Sequence, residues 1–123
     1  MTNKGIVAII DDDRRVLQSI GSLLESVGYE VRLFCSAEPL LRSDSVSSIG
    51  CVVSDIGIPE IDGIELKALL SRMAPDLPVI LVTGNQKQAR RAELKGLESP
   101  FFFEKPFNSK KLVEAVDAVC RRR

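Results

Sequence analysis

IVAIIDDDRRVLQSIGSLLESVG, residues 6–28, passes from an unbroken apolar run through a triple aspartate into a helical pattern. Ile6–Ile10 has no polar break, as expected of a strand covered on both faces in a parallel sheet. Asp12 or Asp13 suits the cap of a following helix, because a short carboxylate can accept the free N–H groups of the first turn. Val16, Leu17, Ile20, Leu24 and Val27 recur at helical spacing, and Gly28 fits the position just past the helix end. One buried strand leading into one amphipathic helix is the opening of an α/β layered fold.

The rest of the chain repeats that unit. Residues 29–34 (YEVRLF) read as a second strand with Tyr29, Val31 and Leu33 on one face. Ser36 is expected to cap a short helix carrying Pro39 in its first turn. Residues 44–50 (DSVSSIG) read as a serine-rich connection and the loosest loop of the chain. Residues 51–54 form a third strand, followed by a loop over residues 55–63 punctuated by Pro59 and Gly63. Leu66, Leu69, Leu70 and Met73 make the stripe of a third helix, ended by Pro75. Residues 79–82 are strand four, and 88–95 a helix with the weak stripe Ala89, Ala92, Gly96. Residues 101–104 are strand five. Asn108 or Ser109 caps a last helix with Leu112, Val113, Val116, Val119 and Cys120 inward.

Strands alternating with helices throughout predict one domain over residues 1–123, with a five-stranded parallel sheet and helices on both faces. The right-handed crossover rule leaves flavodoxin-like order 2-1-3-4-5 as the natural topology. Functional groups in such sheets gather at the carboxyl ends of the strands. Asp11, Asp12, Asp55, Thr83 and Lys105 all fall there.

Composition removes several function classes. Of 123 residues, 45% are hydrophobic, enough for one substantial core. Lys plus Arg and Asp plus Glu each total 17, so nothing global favours nucleic acid or an anionic membrane. Residues 1–5 are too short and polar for a signal peptide, no apolar run approaches membrane-spanning length, and a soluble cytoplasmic protein is expected. Cys35, Cys51 and Cys120 are odd in number and widely spaced, which predicts small apolar packing residues rather than a disulfide framework. The chain has no histidine, so Ser-His-Asp and Cys-His catalysis within it are excluded.

Three carboxylates brought together repel one another, and a cation between them relieves that. Asp11, Asp12 and Asp55 therefore predict a site for Mg²⁺, with Mn²⁺ as an alternative, since a few carboxylates plus a carbonyl suffice for such ions. Aspartates after strands also serve as caps and turn formers; caps explain one acid per loop but not the set. Lys105, before Pro106, is either a structural ion pair with those acids or a cation for a phosphoryl group. Thr83, before Gly84, either donates its hydroxyl to the same oxygens or makes a local turn bond.

The stretches IIDDD (residues 9–13), VSDIGIPEIDGIEL (53–66), VTG (82–84) and FFEKPF (102–107) resemble the receiver domains of two-component response regulators. The likeness runs from about Ile6 to Val119 and is nearest to receivers that precede LuxR-type DNA-binding domains. The resemblance implies Asp55 as phosphoacceptor, Asp12 as direct metal ligand, Asp11 as a ligand largely through water, and the carbonyl of Gly57 as a further ligand. It implies that Thr83 follows the phosphoryl group, that Lys105 pairs with it through a Lys105–Pro106 bond often cis in the family, and that Phe102 is an aromatic switch. Phe102 read alone is an ordinary core residue.

The implied function is that of a Mg²⁺-dependent switch rather than an enzyme. A histidine kinase or phosphotransfer protein would donate the phosphoryl group, and the face of helix four, strand five and helix five would respond. The resemblance also implies either a stand-alone receiver or, favoured by the subfamily likeness, the N-terminal domain of a transcription regulator, a domain that itself binds no nucleic acid or membrane.

One region departs from the family's pattern. Residues 85–102 read NQKQARRAELKGLESPFF, with Glu98 where a glycine is usual and Lys87, Arg90, Arg91 and Lys95 on helix four. A charge run is ordinarily a solvated face, and this one predicts no more than a weak homodimer on phosphorylation. Two rivals are a phosphate-independent interaction module on the same fold and a haloacid-dehalogenase-like phosphatase. The second would want DxDG, whereas Asp13 is followed by Arg14 and Arg15. Neither GxGxxG nor GxxxxGK occurs to support nucleotide binding.

Overall fold

The computed structural model describes residues 4–98 and 101–121. Residues 1–3, 99–100 and 122–123 lie outside it, and with them parts of the N-terminal segment and of the closing arginine run. Eleven elements follow in chain order: β1 (Ile6–Ile10), α1 (Arg14–Ser26), β2 (Glu30–Phe34), α2 (Glu38–Arg42), a 3₁₀ turn (Asp44–Ser48), β3 (Cys51–Asp55), α3 (Gly63–Met73), β4 (Val79–Thr83), α4 (Gln86–Leu94), β5 (Phe102–Glu104) and α5 (Ser109–Val119). All strand pairs are parallel, and the sheet order is β2-β1-β3-β4-β5, as expected.

The pleat sends alternate residues to opposite faces. Val7, Ile9, Cys51, Val53, Ile80 and Val82 pack with Leu17, Ile20 and Leu24 of α1 and Leu112, Ala115 and Val116 of α5. Ala8, Ile10, Val52 and Leu81 pack on the other face with Leu40 of α2, Leu66 and Leu70 of α3, and Ala89 and Ala92 of α4. Two apolar layers thus enclose one sheet, and its continuously apolar central strands follow from burial on both sides. Among the described residues no helix is long and apolar enough to cross a membrane.

Several local expectations need correction. α2 is capped by Ala37 with no side-chain hydrogen bond, not by Ser36, although Pro39 does sit in the first turn. The serine-rich connection is not loose throughout. It winds into a 3₁₀ turn and inserts Ile49, 1% exposed, into the core, a burial contributing roughly 1.5–3 kcal/mol. In α3 the buried stripe is Gly63, Ile64, Leu66 and Leu70, while Leu69 and Met73 stay exposed. β2 starts at Glu30 and is an edge strand, so Leu33 is exposed despite its apolar register, and Tyr29 is buried just ahead of it. Cys35 is exposed, and only Cys51 behaves as a fully buried packing residue. α4 begins at Gln86 because Asn85 caps it.

Candidate functional site

Asp11, Asp12, Asp55, Thr83 and Lys105 meet at the carboxyl edge of the sheet, each placed there by the strand it follows or ends. Asp11 follows β1; its N–H donates to the Phe34 carbonyl, and it is 1% exposed. The next two residues diverge. Asp12 stays exposed at the mouth of the cluster, whereas Asp13 caps α1 by accepting from the Arg15 N–H. Asp55 ends β3, with Ser54 and Asp55 registered against Leu81 and Val82 of β4. Carboxylate oxygens of Asp11, Asp12 and Asp55 all lie within 4.8 Å of one another.

The loop after Asp55 closes on itself. The Gly63 N–H donates to the Ile56 carbonyl at 2.8 Å, and Asp62 caps α3 by accepting from the Glu65 N–H. A Cβ on Gly63 would stand 2.7 Å from the Asp55 carbonyl oxygen, so this position requires glycine for close approach. The Gly57 backbone N–H faces Asp55 and favours its ionised carboxylate. A Cβ at Gly57 would lie 3.7 Å from Asp55 Oδ2, an ordinary contact.

Lys105 supplies the positive charge. Its Nζ donates to Asp11 Oδ2 at 3.1 Å and stands 3.7 Å from Asp55 Oδ1. The Lys105 N–H donates to the Thr83 carbonyl at 2.7 Å, which ties β5 to the end of β4, and the Lys105–Pro106 bond is cis. Partial burial pushes the Asp55 carboxyl above its ordinary range. Lys105 opposes that shift, the charges of Asp11 and Asp12 add to it, and the Gly57 N–H opposes it. One lysine side chain is set against three carboxyl groups, an acidic excess that a bound cation would offset. The donor set is all hard oxygen, and these residues fit a divalent cation of the Mg²⁺ kind.

Thr83 ends β4 at the rim of this cluster, 2% exposed, and its Oγ1 accepts from the Asn85 N–H at 3.1 Å. Phe102 is not part of the cluster. It pairs with Leu81, two residues back from Thr83, and packs in the apolar layer that contains Ala89 and Ala92.

Sequence reasoning missed one polar connection. Arg91 Nη1 donates to Asp62 Oδ2 at 2.7 Å and to Gln88 Oε1 at 2.6 Å, joining α4 to the loop that follows Asp55. The signal was available in part, since Asp62 and Glu65 have the spacing of a capping box. Nothing local to residue 91 distinguishes it from its basic neighbours.

A family model described as "Response regulator receiver domain" matches residues 7–117. The Transcriptional regulatory protein FixJ of Bradyrhizobium diazoefficiens is 35% identical over 122 residues, covering 99% of this chain and 60% of that protein. Response regulator protein TodT of Pseudomonas putida is 29% identical, covering 94% and 51% respectively. The chain thus spans little more than half the length of these relatives. The crystal structure of full-length FixJ from B. japonicum superposes with a TM-score of 0.81 at 35% identity, over 96% of this chain and 58% of that one.

Proposed function

The chain belongs to the response regulator receiver domain family, and from that premise we propose that it accepts a phosphoryl group on Asp55. The observation that carries this reading is the arrangement of Asp11, Asp12 and Asp55 within 4.8 Å, bridged by the Lys105 ammonium at 3.1 and 3.7 Å. Receivers are signalling domains, so one acylphosphate per activation, not turnover, is the chemistry required.

In the proposed step an Asp55 carboxylate oxygen attacks the phosphorus of a phosphohistidine on a partner kinase or phosphotransfer protein. A P–O bond to Asp55 forms, the P–N bond breaks, and the electron pair leaves with the donor's imidazole. Lys105 holds positive charge beside the oxygens of the transferring group, and the buried, pre-formed setting costs little reorganisation. Asp11, Asp12, Asp55 and the Gly57 carbonyl would hold Mg²⁺, or Mn²⁺ in its place, which when bound supplies charge neutralisation for the phosphoryl oxygens. Thr83, already at the rim, donates its hydroxyl to the new phosphoryl group. Water later attacks the phosphorus, releasing inorganic phosphate and restoring the carboxylate.

Phosphorylation then shifts the population between two packings of the α4–β5–α5 face, with Thr83 and Phe102 as the side chains that change. Relatives named as transcriptional regulatory proteins, of which this chain spans part, support a cytoplasmic setting within a longer regulator. Incubation with acetyl phosphate and Mg²⁺, followed by intact-protein mass spectrometry, tests the central step. One added phosphoryl group, absent from Asp55→Asn, is expected. Undiminished labelling of that variant removes Asp55 from the role.

A further inference from the structure

α4 is held differently from the other long helices. Its buried residues are only Ala89 and Ala92, whereas α1 buries Leu17, Ile20 and Leu24, and α3 buries Ile64, Leu66 and Leu70. Alanine offers little apolar area, so core burial anchors α4 weakly. Polar contacts at two points supply what the core does not.

The first point is its start. Asn85 Oδ1 accepts from the N–H groups of Lys87 and Gln88, and the Asn85 N–H in turn donates to Thr83 Oγ1. The second lies one turn further on. Arg91 bridges Gln88 of its own helix and Asp62 Oδ2, and Asp62 Oδ1 caps α3. Among the described residues this is the one ion pair joining α4 to another element. The contacts close a ring, running from Asp55 along its loop to Asp62, across Arg91 to α4, and back through Asn85 to Thr83. Burial favours the neutral form of Asp62, but the Glu65 N–H and the Arg91 guanidinium outweigh it and hold that carboxyl below its ordinary range.

We infer that the Arg91–Asp62 ion pair is a latch holding α4 in its phosphoryl-free position, an inference that rests on Asp55 being the phosphoacceptor. A turn of the Thr83 hydroxyl toward a phosphoryl group takes the acceptor from Asn85 and frees the start of α4. Arg91 then remains as the polar restraint on the helix. A contact made in one packing stabilises that packing alone, so the latch sets how much phosphoryl-induced pull is needed to move α4.

The latch is tested with Arg91→Gln and Arg91→Lys, neither of which alters the carboxylate cluster, Lys105 or the α3 cap. Beryllofluoride with Mg²⁺ serves as the phosphoryl mimic, and NMR shifts of Thr83 and Phe102 give the activation midpoint. Arg91 is 42% exposed and Asp62 18%, so the pair is partly screened. Arg91→Gln should lower the midpoint by roughly two- to fivefold, with Arg91→Lys between it and wild type. Amide exchange of α4 in the metal-free, mimic-free protein should quicken by a similar factor in Arg91→Gln. An unchanged or raised midpoint overturns the latch.

If the wild-type protein itself ignores beryllofluoride, the reading of Asp55 as phosphoacceptor fails instead. The exchange arm then still decides whether Arg91 restrains α4, and unaltered exchange would end the inference.

Discussion

Gly63 and Asp55 approach so closely that a single added carbon on Gly63 would stand 2.7 Å from the Asp55 carbonyl oxygen. The helix after the loop is therefore packed directly against the backbone of the residue at the centre of the site. Gly63→Ala should push that contact apart, at a cost of roughly 1–3 kcal/mol for overpacking, and should displace the Asp55 carboxylate. Urea denaturation and Mg²⁺ titration of the variant check both effects. Wild-type stability together with wild-type Mg²⁺ affinity would contradict the steric account.

Asp55 also carries a pH signature. Its carboxyl is raised by burial and by Asp11 and Asp12 against the opposition of Lys105. The folded state then binds a proton more tightly than the unfolded chain. Ionisation of Asp55 costs stability as pH climbs from the ordinary aspartate range toward neutrality. In chelator, Asp55→Asn should accordingly stabilise the protein at pH ~7 and lose that advantage as pH falls to ~4, near the reference aspartate value. Denaturation at the two pH values is the check; a variant less stable than wild type at neutral pH would mean the Lys105 pairing dominates.

Metal linkage gives the third test. Mg²⁺ at ~100 Kd should stabilise the wild-type protein by roughly 2.7 kcal/mol. Asp12 is the exposed member of the cluster, so Asp12→Ala should fold normally and lose most of that response. Melting curves with and without millimolar Mg²⁺ decide it. Indifference of the wild type would favour an interaction module that keeps the fold without the metal.

The clustering of Asp11, Asp12, Asp55 and Lys105 was legible because sheet topology follows from a few rules, and residues ending parallel strands must then converge. Thr83 was placed by the same logic. Helix faces were harder to read. Leu69 and Met73 have the spacing of a buried stripe, yet the orientation of α3 is set by Gly63 against Asp55 and by Ile64, which turns those two side chains outward. Leu33 fails for a related reason: the predicted order already puts the second strand at the sheet edge, but its apolar alternation alone does not show how far along that edge the cover of the neighbouring helix extends. The Arg91–Asp62 pair joins residues 29 apart in sequence and depends on the α3 cap position, which no residue near Arg91 encodes.

Gly50 offers a fourth prediction, far from the phosphoacceptor. The Arg121 N–H donates to the Gly50 carbonyl at 3.0 Å, and a Cβ on Gly50 would clash with the Arg121 backbone and sit 2.9 Å from Cys120 Sγ. The chain leaving α5 is thus seated against the start of β3. Gly50→Ala should unseat residues 120–121 while leaving the Mg²⁺ response intact. Faster amide exchange at Arg121, with unchanged exchange in β1, is the expected pattern. Protected exchange at Arg121 in the variant would show that the backbone accommodates the methyl group.

Dimerisation is the last test. Two-fold pairing through the α4–β5–α5 face requires self-complementary area, and here the small apolar residues of α4 are already committed inward, with Ala89 4% and Ala92 0% exposed. Exposed Lys87, Arg90 and Glu93, with Lys95 and Glu98 just past the helix end, leave Leu94 as the exposed large apolar side chain of α4. Exposed charge pairs contribute roughly 0–1 kcal/mol each and are screened within about 10 Å at 0.1 M salt. Beryllofluoride should therefore shift Thr83 and Phe102 but yield only a weak dimer that loosens as salt is raised. Sedimentation velocity of the activated protein at micromolar concentration, at low and high salt, reads this directly. A tight dimer that persists in high salt would mean that an apolar surface, with Leu94 at its centre, drives the pairing instead.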